Sequence, residues 1–145
     1  MSEVLLSEKP TNELFSELQS ADSYEDFAVK NKDVFTKGSI SEYLSNLLKE
    51  KNIPLKDAVN NSGIERIYAY HLFSGRKIPS RDKLIAISLG LGLSLDETQA
   101  LMKFSCNRPL YPKNERDSAL IYAVINGLTV RETQALLFEK HFEAL

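Results

Sequence analysis

The chain reads as an all-α protein. Three observations predict this. Ser and Thr cap signals recur with a carboxylate three residues on. Apolar residues follow them at helical spacing, and no segment shows the strict apolar-polar alternation that a half-buried strand needs. With 145 residues, 43% of them hydrophobic, the chain can fill one packed domain or two small ones.

Taken in order, "NELFSELQS" and "YEDFAVKN" read as two short helices, the second capped at Ser23-Tyr24-Glu25-Asp26. Their apolar residues (Leu14, Phe15, Leu18, Tyr24, Phe27) are too few for a separate core. Residues 1–38 are therefore expected to form an acidic helical arm, lying on the rest or partly mobile. Ser39-Ile40-Ser41-Glu42 is a capping box, and Ile40, Tyr43, Leu44, Leu47 and Leu48 follow at helical spacing. "KEKN" ends that helix. Pro54 suits a first helical turn, where its missing N–H has no partner to lose. A short helix then runs from about Leu55 to Asn61 and stops at "NSG". "GIERIYAYHLFSG" gives a helix between two glycines, about Glu65 to Phe73, with Ile64, Ala69 and Leu72 placed to point inward. "RKIPS" is a basic loop. Ser80 caps a helix carrying Leu84, Ile85, Ile87, Ser88 and Leu89, and Ser94-Leu95-Asp96-Glu97 caps another that ends near Cys106. Pro109 and Pro112 make 107–113 a connector of fixed path. Two more helices are expected, from Glu115 to Asn126 and from Val130 to about Phe142.

The last two helices echo the two before them. "RDKLIAISLGLGLSLDETQALM" (Arg81–Met102) aligns without gaps onto "RDSALIYAVINGLTVRETQALL" (Arg116–Leu137). Arg-Asp opens both, Gly-Leu joins the helices in both, and Glu-Thr-Gln-Ala-Leu recurs. Two similar helical hairpins stacked beside each other are the expected result. The organisation predicted is thus an arm (1–38), a five-helix domain (39–106) and a C-terminal hairpin (107–145).

Composition narrows the function. No apolar run approaches the ~20 residues of a membrane span, and "MSEVLLSEKP" lacks the basic and apolar regions of a secretory signal. A single cysteine, Cys106, excludes an internal disulfide, so a cytoplasmic protein is expected. His71 and His141 lack partner ligands at metal-binding spacing, and neither a phosphate-cradling Gly-rich loop nor a Ser/His/Asp set is present. No metal, no cofactor and no catalysis are expected. The formal net charge is −2, unevenly spread. Residues 1–38 hold four basic and eight acidic side chains, 39–106 hold nine and seven, and 107–145 hold five and five. The mildly basic part is the middle.

That middle carries a known pattern. "AVNNSGIERIYAYHLFSGRKIPSRDKLIAISLGLGLSLDE" resembles the Cro and lambda-repressor-like (XRE-type) helix-turn-helix domains. Gly63 matches the turn glycine between the two motif helices, "GRKIPS" the family's Gly-basic-basic-x-Pro-Ser, and "LGLSLDE" its closing segment. The resemblance covers about Ser39–Cys106. The longer run from Tyr68 through "LYPKNERD" is similar to uncharacterised regulator-like proteins of Gram-positive bacteria that share the C-terminal hairpin. The chain departs from the family at Leu55, where many members have Gln, and at Phe73 and Ala58-Val59.

The resemblance implies a sequence-specific transcriptional regulator that reads double-stranded DNA as a homodimer. Its second motif helix enters the major groove. Glu65, Arg66, Ile67 and His71 match positions that face bases, with Arg66 suited to guanine and Ile67 to a thymine methyl. Tyr70 lies on the same side, Tyr68 flanks it, and Arg76 and Lys77 would hold phosphate. The alternative is a protein-interaction module that keeps this scaffold and binds a partner through the aromatic helix or the C-terminal hairpin.

Overall fold

The computed structural model describes residues 9–32 and 38–145. Among these the protein is all-α, with nine helices and no strand. They are α1 (Thr11–Ser20), α2 (Tyr24–Lys30), α3 (Ile40–Lys51), α4 (Leu55–Asn61), α5 (Arg66–Ser74), α6 (Arg81–Leu91), α7 (Leu95–Phe104), α8 (Glu115–Ile125) and α9 (Val130–Glu139). The expected caps are in place. Ser39, Ser94 and Thr129 each close a full capping box, and Ser23 and Ser80 each accept one backbone N–H.

Helix ends differ from expectation where a left-handed residue intervenes. The last helix stops at Glu139, short of Phe142, because His141 takes φ 63° and the Phe142 N–H turns back to the Leu137 carbonyl at 2.8 Å. Cys106 does the same after α7, with φ 61° and the Asn107 N–H on Met102. Both closures satisfy carbonyls that a fraying end would leave open. Three joints share one geometry: Asn52-Ile53-Pro54, Gly92-Leu93-Ser94 and Gly127-Leu128-Thr129. In each a left-handed residue is followed by an apolar one whose N–H bonds back into the preceding helix.

The chain divides into two compact units, up to Gly38 and from Ser39 to Leu145. In the first, Phe27 is buried, whereas Phe15, Leu18 and Tyr24 are exposed. A polar hub helps hold its helices. Glu17 accepts from Lys9 at 2.9 Å and from the buried Asn31 amide at 2.8 Å, and Lys9 also donates to Asn31.

The second unit has one core. Leu44, Leu72, Ile85, Leu101, Leu120 and Leu137 are all fully buried in the same cluster. Residues 39–106 and 107–145 therefore share their interior, and Leu110 of the connector joins it. Helix α4 lies on α6, α3 on α5, and the two hairpins α6–α7 and α8–α9 pack against each other.

The sequence echo recurs in the bonds between the repeats. Arg81 and Asp117 pair at 2.9 Å, and the equivalent residues Arg116 and Asp82 pair at 3.0 Å. Arg81 also donates to the carbonyls of Arg108 and Pro109, as Arg116 does to those of Glu143 and Ala144. The Gln99 amide clasps the backbone of Leu110, and Gln134 clasps Leu145 in the same way. Helix α6 touches α9 as α7 touches α8. Each repeat thus reaches into the other by the same bond, the reciprocity of a two-fold interface, here within one chain.

Candidate nucleic-acid interface

The helix-turn-helix candidate is α4, the turn Ser62-Gly63-Ile64-Glu65, and α5. The turn is built from local chemistry. The buried Ser62 hydroxyl donates to the Val59 carbonyl at 2.8 Å and accepts from the Ile64 N–H. Gly63 takes φ 69°, and a Cβ there would fall 2.7 Å from Val130 of α9. Both facts call for glycine, and the second shows that the C-terminal hairpin braces the turn.

Helix α5 begins one residue later than expected, since Glu65 is its cap. The Glu65 carboxylate accepts from the N–H groups of Ile67 and Tyr68, each at 2.9 Å. These two bonds, that to Ile67 first, hold its carboxyl below the ordinary range. Gly75 ends the helix at φ 89°, close against Ser41 of α3.

The inner side of α5 is Ala69, Leu72 and Phe73, all buried. The outer side starts with Arg66 and Ile67, both exposed, Ile67 at 64%. Arg66 lies 5.9 Å from the centre of the Tyr70 ring, within cation–π range, one turn along the helix. Tyr68, Tyr70 and His71 are half-buried. Tyr70 and His71 line an open groove of 830 Å³ between α5 and the end of α3, together with Leu48, Lys49, Pro54 and Arg76. Arg76 and Lys77 are exposed in the following loop, where the Lys77 N–H bonds to the His71 carbonyl at 3.2 Å. The eight residues singled out from sequence are therefore neighbours on α5 and its two flanks, with three free of close packing on the helix and its cap and two in the loop.

Ile78 was not legible as part of this surface. It is 80% exposed beside Arg76 and Lys77, while the next residue, Pro79, is buried. The residue before a proline is held extended, and the inward proline turns its neighbour out. Leu55, 41% exposed at the start of α4, borders the same groove.

Among the described residues no group of three or more His, Cys, Asp or Glu could hold a metal ion, and no helix is long and apolar enough to cross a membrane. Compared with known proteins, the chain matches no family model, no curated protein and no solved structure.

Proposed function

We propose that the protein is a cytoplasmic, sequence-specific DNA-binding regulator of transcription that works by binding and not by catalysis. In this reading α3–α7 are a lambda-repressor-like domain and α5 lies in the major groove. The observation that carries it is the division of α5. Its inner side is sealed by Ala69, Leu72 and Phe73, and its first turn presents Arg66 and Ile67 to solvent, beside the exposed Arg76 and Lys77.

Arg66 would read a guanine by two hydrogen bonds, Ile67 would meet a thymine methyl, and Tyr70 and His71 would complete the base-facing side. Arg76, Lys77 and Tyr68 would contact phosphates and set register. Glu65 would act through its cap, fixing the start of the helix while its charge is held by two N–H groups. A homodimer would place two such helices on successive turns of the duplex.

Selection from a random DNA pool, at low and at physiological salt, tests this. A preferred sequence with two related half-sites is expected. Arg66→Ala should lose about 1–3 kcal/mol of discrimination at one guanine. Arg76→Ala with Lys77→Ala should weaken binding to all sequences and flatten the salt slope by about 1–2 units. A protein that recovers no preferred sequence at low salt sinks the proposal.

A further inference from the structure

The pseudo-two-fold repeat points to a second binding surface. One flank of the first hairpin is covered inside the chain. Ile87 of α6 is 1% exposed, and Gly90 sits so close to α4 that a Cβ would lie 2.8 Å from the Asn61 backbone. On α7, the Phe104 ring packs tilted against Tyr43 of α3 with ring centres 4.5 Å apart, and Glu97 takes Lys51 of α3 at 3.0 Å. The matching flank of the second hairpin is open. Ile87 corresponds to Tyr122, 56% exposed, and Gly90 to Ile125, 62% exposed.

One charge on the open flank matches its template, and two are added. Glu132 stands where Glu97 stands, and each gives one carboxylate oxygen to its own capping box. The other oxygen of Glu97 meets Lys51, whereas no cation bridges Glu132 among the described residues. Glu115, at the start of α8 and one face with Tyr122, and Glu139, in the place of Phe104, are exposed as well. An apolar strip is thus bounded by carboxylates at both ends of the hairpin.

We propose that this flank, centred on Tyr122 and Ile125, docks a basic amphipathic helix of a partner protein. The occupant would repeat what α3 and α4 present to the first hairpin, with apolar side chains against Tyr122 and Ile125 and a Lys or Arg on Glu132. A second copy of this chain would have to offer another surface, because its own α3 and α4 already lie on its first hairpin. The proposal does not depend on α5 reading DNA.

The test uses the full isotope-labelled chain and two designed helical peptides, one of leucine and lysine, the other of leucine and glutamate. The leucine-lysine peptide should shift the amide signals of Tyr122, Ile125, Glu132 and Leu136, and the acidic peptide should not. Ile125→Asp should weaken binding by about tenfold or more, equivalent to about 1.4 kcal/mol. Glu132→Gln with Glu139→Gln should do likewise without lowering thermal stability, since Gln also serves a capping box. Arg66→Ala should leave peptide binding unchanged. Failure of the basic peptide to bind, equal binding of both peptides, or shifts centred on α5 would overturn the proposal. So would concentration-dependent broadening of Tyr122 and Ile125 without peptide, which would make a second copy the occupant.

Discussion

The hairpins α6–α7 and α8–α9 share a scaffold and differ in what surrounds them. Both are capped by a hydroxyl and a Glu, both turn at a left-handed glycine, and both clasp an extended tail with an Arg and a Gln. Yet α6 is buried along nearly its whole length, whereas α8 shows a wide exposed side. The α3–α5 segment covers one hairpin and leaves the matching flank of the other open. The same local code therefore gives a core helix in one place and a surface helix in the next.

The largest expected effect comes from the reciprocal ion pairs. The Arg81 and Asp117 side chains are 14% and 3% exposed, those of Arg116 and Asp82 21% and 36%. Asp117→Ala strands a largely buried guanidinium and removes the acceptor of the Tyr111 N–H. It should cost about 3 kcal/mol, the low end for a broken buried pair, because Arg81 keeps two carbonyl acceptors. Asp82→Ala should cost under about 1 kcal/mol. Denaturant unfolding of both variants checks the contrast, and equal losses would break it.

Acid sharpens the same difference. Burial raises the Asp117 carboxyl, but Arg81 and the Tyr111 N–H outweigh it, so the group sits below the ordinary aspartate range. A depressed folded value means the unfolded chain takes the proton first. The stabilisation is complete above about pH 4, the unfolded value, and is lost as pH falls through the folded one. Stability should therefore fall less steeply below about pH 4 in Asp117→Asn than in the natural chain.

Next in size are the paired positions Gly90 and Ile125. Gly90→Ala puts a methyl against the Asn61 and Ser62 backbone, which cannot swing aside. Overpacking costs about 1–3 kcal/mol, against about 1 kcal/mol gained in helix propensity. A net loss of about 1 kcal/mol is expected. Ile125→Ala, on the open flank, should stay within about 0.5 kcal/mol of the natural chain. Thermal melting that ranked these two the other way would mean that the flank is covered.

Much of the fold was legible. The hydroxyl caps at Ser39, Ser80, Ser94 and Thr129 announced four helix starts, because a cap is satisfied by backbone N–H groups two or three residues away. The repeat was legible in its shared letters, and so were the inward residues Ala69 and Leu72. Glu65 was read as part of the α5 surface and is exposed there; that its carboxylate also caps its own helix by two hydrogen bonds is something the letter does not reveal. The half-burial of Tyr70 and His71 depends on α3 and the start of α4 lying alongside, which no window around α5 contains. Ile78 was missed because a lone isoleucine beside a proline gives no periodic signal.

The sequence by itself determined where helices begin, where glycine must turn the chain, and that two hairpins would be alike. These follow from bonds and torsions spanning a few residues, so neighbouring letters suffice. Only the tertiary structure decided that 39–106 and 107–145 share one core, that Arg81 and Arg116 exchange partners, and that Tyr122 and Ile125 remain exposed where Ile87 and Gly90 are covered. Burial depends on which distant surface arrives, and the same apolar pattern serves equally well with or without a cover.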